Sequence, residues 1–204
     1  MRNNNPTLSF IRFLSKILVV IFFISSCTSN AANKEVHPTS TIIESKPFKE
    51  ITADIRPILK KRIVHITKIH FEHKDHSYKF MGVHSKRAIE NFRGYARIVV
   101  VTPPDASGVY EAKVYAKGPD GVEVTKSGNG GKSTFFPDSW DEARILDEAE
   151  YAIKHNKGFE NGVDARDGYY GYSRDGKVRI AFYYNESTGG INSFFPVIGK
   201  PSSQ

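Results

Sequence analysis

The chain has 204 residues, 29 Lys+Arg against 22 Asp+Glu for a formal charge of +7, 39% hydrophobic and 12% aromatic residues, and one cysteine. That length holds one domain of ordinary size with short extra segments, and the composition excludes a disordered chain. A single cysteine excludes a disulfide scaffold, so the domain must be held by its core alone, and the basic surplus points to an anionic partner such as nucleic acid or an acidic membrane surface.

The first element in chain order is a leader, residues 1–27. Arg2, Arg12 and Lys16 make it basic, it has no acidic residue, and its apolar run from Ile17 to Ile24 is too short to span a bilayer. This is the pattern of an export signal. It ends in Ile24-Ser25-Ser26-Cys27, which resembles the bacterial lipobox: an aliphatic residue, two small ones, then the cysteine that is lipidated. The chain is therefore expected to be exported and lipid-anchored through Cys27 in the bacterial cell envelope, at the outer membrane or periplasmic face. Plain secretion after cleavage near Ala31 and Ala32 is the alternative. Without the leader, 26 basic residues face 22 acidic ones, for a charge of +4.

Residues 28–50 are polar, carry Pro38 and Pro47, and read as a flexible tether; residues 51–204 form the domain. An apolar-periodic piece from Ile51 to Ile66 is interrupted by Pro57. It leads into a segment holding five of the seven histidines, His65 to His84. Strand patterns follow: "ARIVVVT" as a buried run ended by Pro103-Pro104, an alternating "GVYEAKVYAK", a turn at Pro119-Asp120-Gly121, then "VEVTKS". Ser139 and Glu142 have the spacing of a capping box. Leu146, Ala149 and Ile153 give the helix after it one apolar stripe, and Gly158 is its expected stop. Further strands are "GYYGYS", "KVRIAFYYN" and "INSFFPV", with turns at Arg174-Asp175-Gly176 and Gly189-Gly190. The expected class is α+β: an N-terminal helical part followed by antiparallel sheets.

Several chemistries lack their motifs. The chain has no cysteine cluster for zinc, no Walker phosphate loop and no Gly-x-Ser-x-Gly elbow; "GNGGKST" has the wrong spacing for a phosphate loop and "STFFP" reads as strand. What remains is a set of histidines, a lone lysine after Gly130-Gly131, and a hydroxyl near the last strand. RNA cleavage without a metal needs such a set: a base for the 2′-hydroxyl proton, an acid for the leaving 5′-oxygen, and a cation beside the phosphate. Histidine, with an ordinary pKa near ~6.5, suits both proton roles, and this route requires no cofactor.

The blocks "HFEHKD", "MGVHS", "GNGGKSTFFPDSW" and "INSFFPV" resemble, in order and approximate spacing, the bacterial EndoU nuclease domain over roughly His65 to Val197. The resemblance implies a fold similar to other small EndoU- and barnase-like ribonucleases, and endoribonuclease activity that leaves a 2′,3′-cyclic phosphate, often beside uridine. It also implies a place among secreted bacterial toxins, with RNA as substrate and an immunity protein as the partner such toxins call for. Carried over by residue, His84 and Lys132 match a catalytic histidine and lysine. His70 is matched to the other histidine, although Lys74 stands where glycine is usual, and His65 and His73 compete with it. Ser193 falls where a Thr or Ser lies near substrate; Phe195 falls where a Tyr is common, keeping a stacking surface without the hydroxyl.

Taken singly, the same residues have plainer readings. His73 and His76 are expected on a solvated face, and Lys132 alone could guard a strand edge against aggregation. Phe135, Phe136, Phe194 and Tyr184 are expected in the core or on a sheet face. Two other function classes are consistent with the leader and charge: a non-catalytic envelope module binding a polyanion or protein, and a metal enzyme using the histidines. The second is disfavoured because Glu72 and Asp75 make no recognisable ligand set. With its one cysteine assigned to lipid, the chain is expected to have no disulfide-linked partner.

Overall fold

The computed structural model describes residues 50–163, 166–185 and 187–199. The leader, Cys27 and the tether through residue 49 lie outside the described residues.

Helix α1 (Arg56–Thr67) starts with Pro57 in its first turn, where a missing N–H costs nothing, so the proline that breaks the sequence pattern opens the helix instead. Leu59, Ile63 and Ile66 form its buried face. A short hairpin follows, β1 (Phe71–Lys74) paired antiparallel with β2 (Ser77–Phe80), and then the single turn α2 (Arg87–Glu90).

The first four-stranded sheet is built on β4 (Tyr110–Lys117), whose alternating buried and open residues match its sequence pattern. β3 (Ala96–Thr102) pairs along one side of β4. The other side is shared by β5 (Glu123–Thr125), opposite the end of β4, and β6 (Lys132–Phe135), opposite its start. A 3₁₀ turn, Asn129–Gly131, leads into β6. The expected burial of "ARIVVVT" is not found: Val99, Val100 and Val101 are 45%, 52% and 47% exposed, because β3 is an edge strand with nothing laid over its centre among the described residues.

Helix α3 (Glu142–Lys154) buries Ile145, Leu146, Ala149, Ala152 and Ile153, which contain the expected stripe. Its cap differs from the expected box. Asp141, in extended backbone, accepts from the N–H of Arg144 at 2.8 Å, while Ser139 belongs to the turn before it; Glu142 instead accepts from Thr67 Oγ1 at 2.9 Å, tying α3 to α1. Four strands close the chain as an antiparallel meander: β7 (Phe159–Val163), β8 (Arg166–Tyr172), β9 (Arg179–Asn185) and β10 (Gly190–Val197). β10 lies at the edge of this sheet, which is where Pro196, lacking a ladder donor, is tolerated.

Among the described residues three apolar clusters result. The largest packs α1 and α3 on one face of the second sheet, with Ile180, Phe182, Ile191 and Phe194. A second lies under the first sheet around Phe80, Val83, Tyr110, Val114 and Phe135. The third, Ala181, Phe195 and Val197 with Tyr170 and Tyr183, occupies the opposite face of the second sheet. Full burial of each ring such as Phe182 or Phe194 contributes about 1.5–3 kcal/mol.

Helix α3 sits so close to the second sheet that a Cβ on Gly171 would lie 2.0 Å from the Ala152 carbonyl oxygen. Backbone cannot yield as a side chain does, so Gly171→Ala is expected to cost about 1–3 kcal/mol, read as a lower urea midpoint with an unchanged slope.

Candidate active site

The two sheets and α1 meet at a cleft of about 230 Å³ whose walls include His65, His84, Lys126, Lys132, Thr134, Tyr183, Ser193 and Phe195. Its framework is a pair of peptide hydrogen bonds. The N–H of Val83 donates to the His65 carbonyl and the N–H of His84 to the Ile66 carbonyl, both at 2.9 Å, joining the last turn of α1 to the segment after β2. The approach leaves no room for a side chain: a Cβ on Gly82 would lie 2.1 Å from the His65 carbonyl oxygen. Gly82 takes φ +75° and Val83 takes φ +63°, a left-handed conformation that a β-branched residue adopts only at a cost of about 1–3 kcal/mol. Val83 is fully buried, so packing holds it there.

His84 is 9% exposed. Its Nδ1 lies 2.7 Å from the Thr134 carbonyl oxygen. A carbonyl only accepts, so Nδ1 carries the proton and Nε2 is the basic atom of the neutral ring. The ring stacks on Phe195 at 5.4 Å with 23° between planes, which fixes its orientation. His65 keeps an open side to solvent but packs against Gly82. Partial desolvation, helped by the positive charges of Lys126 and Arg62, holds its imidazole below the ordinary 6.5, with Glu72 pulling the other way. The shift favours the neutral ring.

Lys132 opens β6 directly after the glycine turn, and its ammonium bridges both carboxylate oxygens of Glu111, at 3.0 and 3.1 Å. Lys126 is 9% exposed and donates to the Lys132 carbonyl at 2.7 Å. Ser193 follows a bulge in β10 and faces Tyr183 across the ladder. The Tyr183 and Phe195 rings are 5.6 Å apart. The hydroxyls of Tyr183 and Thr134 are buried without a hydrogen-bond partner among the described residues. Such groups favour the arrival of a polar ligand or a water.

Of the residues singled out by sequence, the structure brings His84, Lys132, Ser193 and Phe195 to this cleft. His70 is exposed just before β1 and is not in its lining, whereas His65 is. His73 is exposed with its ring edge against Tyr78, and His76 is exposed in the hairpin turn at φ +60°. Phe135, Phe136 and Phe194 are core residues, and Tyr184 packs against that core. Sequence reasoning missed Lys126, Glu111, Thr134 and Tyr183. Lys126 sits in "VEVTKS", read whole as strand, yet β5 stops at Thr125 and frees it to turn towards Lys132. Among the described residues no group of three or more His, Cys, Asp and Glu is placed to hold a metal ion.

The bacterial EndoU nuclease family profile matches residues 60–198, which hold every residue of the cleft. The chain is also similar to a protein named "Toxin" from Bacillus cereus, 34% identical over 118 residues, which cover 57% of this chain and 19% of that protein. The similarity thus spans about a fifth of the relative's length. The chain belongs to the bacterial EndoU nuclease family, a family of endoribonuclease enzymes.

Proposed function

We propose that the chain cleaves single-stranded RNA by metal-independent transesterification. The observation that carries this reading is the meeting of His65, His84 and Lys132 in one cleft with Ser193 and Phe195. His65 takes the histidine role matched to His70 in sequence, because His65 lines the cleft. With its pKa lowered by its surroundings, it accepts the ribose 2′-hydroxyl proton in its neutral form. The 2′-oxygen attacks phosphorus and the P–O5′ bond breaks; His84, protonated at Nε2 as the imidazolium while Nδ1–H stays on the Thr134 carbonyl, gives the departing 5′-oxygen its proton. A 2′,3′-cyclic phosphate and a free 5′-hydroxyl remain, so atoms balance with no metal or cofactor. Lys132 offsets the charge that grows on the phosphorane, with Glu111 aiming its ammonium. Ser193 positions the phosphate or base, and Phe195 offers a ring face beside it. Uridine is the proposed preferred base.

The toxin-like relative and the leader support a wider reading: an exported, lipid-anchored toxin held at the cell envelope through Cys27, with an immunity protein as partner. Under it, Cys27→Ala moves the chain out of the membrane fraction; unchanged membrane association in that variant would remove the anchor.

Three outcomes test the chemistry. In excess chelator the full chain is expected to cut a uridine-containing RNA to cyclic-phosphate ends. His65→Ala, His84→Ala and Lys132→Ala should each lower kcat by about 100-fold or more, and His70→Ala by less than about threefold. RNA that is bound but never cut by the parent would favour a polyanion-binding module.

The pH dependence follows from His65. Its ring must be neutral to act as base, and its pKa is depressed, so kcat/KM should rise with pH through a midpoint below 6.5. Lys126→Ala removes one depressing charge and should move that midpoint upward, whatever it does to the maximal rate.

A further inference from the structure

The cleft adjoins a second space. Lys126 and Gly128 line both the cleft and an open groove of about 640 Å³, whose walls also include Tyr78 and Lys79 of β2 and Gly130 and Gly131 of the turn before β6. Pockets that enclose a whole drug-sized ligand run to roughly 300–1,000 Å³. The cleft, at about 230 Å³, therefore takes a phosphate with part of one nucleotide. Cutting within a strand requires a path for the nucleotides on either side.

The groove has the features of such a path. Gly128 and Gly130 have φ of +80° and +60°, and a Cβ on either would meet nothing within 4 Å. Their side of the turn is bare backbone facing open space, where phosphate oxygens can approach peptide N–H groups. The turn is anchored rather than loose, since Ser127 N–H donates to the Phe80 carbonyl at 2.7 Å and Gly131 N–H to the Gly128 carbonyl at 2.9 Å. Tyr78 is half-buried, and the His73 ring packs edge-to-face with it, centres 5.0 Å apart, holding it in place. Lys79 is ion-paired with Asp75 at 3.2 Å, but the side chains are 45% and 70% exposed, so the pair is weak and the ammonium is available to a competing phosphate. An aromatic ring beside a cation and open backbone is the combination that holds single strands without reading their sequence.

We propose that this groove is a subsite for nucleotides flanking the scissile bond, which makes the preferred substrate a single-stranded RNA longer than a dinucleotide; the proposal rests on the ribonuclease reading above. Tyr78 stacks a flanking base, Lys79 meets its phosphate, and the glycine turn lets the backbone pass from groove to cleft.

The test uses the full chain and its Lys79→Ala and Tyr78→Ala/Lys79→Ala forms, titrated with fluorescent, non-cleavable 2′-deoxy oligonucleotides of two and eight nucleotides. The matching RNAs are assayed for cleavage. The parent is expected to bind the longer oligonucleotide at least about tenfold more tightly, and the double variant to lose about tenfold on that one alone. Lys79→Ala, at an exposed position that does not endanger folding, should reduce the slope of log affinity against log salt by about 0.7 on the longer oligonucleotide. Equal affinity for the two lengths, or equal losses on both, overturns the subsite. Length-dependent binding with no cleavage of either RNA overturns the ribonuclease reading and leaves the groove standing.

Discussion

The site depends on the way the segment after β2 is fastened to the end of α1. Two peptide hydrogen bonds, from Val83 to His65 and from His84 to Ile66, bring histidines nineteen positions apart in sequence to one cleft, and they require the chain to turn through left-handed backbone at Gly82 and Val83. Glycine does this freely; valine does not. The strain at Val83 is absorbed by the second core, where its side chain is fully buried among Phe80, Ala112 and Phe135. Stability of that core and geometry of the cleft are thus one property.

The electrostatics follow the same logic of fixed placement. Lys132 is held by a carboxylate, and Lys126 is held by the Lys132 carbonyl. These positive groups are oriented by the fold itself, so the proposed chemistry would need little reorganisation of them. Burial lowers the pKa of the His65 imidazole, and the Lys126 charge adds to that shift. The second sheet serves two purposes by alternation: Phe182 and Phe194 face the helices, while Tyr183, Ser193 and Phe195 face the cleft.

Much of this was readable in the sequence where chemistry and local pattern coincide. The strand after "GGK", the alternation of β4, the stripe of α3 and the closing meander are local, and so were Lys132, His84, Ser193 and Phe195 as neighbours of turns and strands. The choice among early histidines was not local. It depends on where α1 ends and which peptide groups it offers to Val83 and His84, so His70 and His65 could not be separated by spacing. The cap of α3 was misread because Ser139 and Asp141 both suit the role, and the preceding turn, with Trp140 bonded to Pro137, decides between them. Glu111 and Tyr183 give no signal in one sequence, since each matters through its partner across a strand pair.

The valines of β3 bear on how the molecule behaves among its own copies. An edge strand with Val99, Val100 and Val101 open to water offers unpaired backbone and apolar surface together, the combination that seeds edge-to-edge association. The fold limits the length over which that can happen. A register shift between Val100 and Thr102 bends the strand, and Pro103-Pro104, which have no N–H to offer, follow its end at once. The sticky stretch is thereby kept to a few residues, and colloidal stability falls to the net positive charge that keeps like molecules apart.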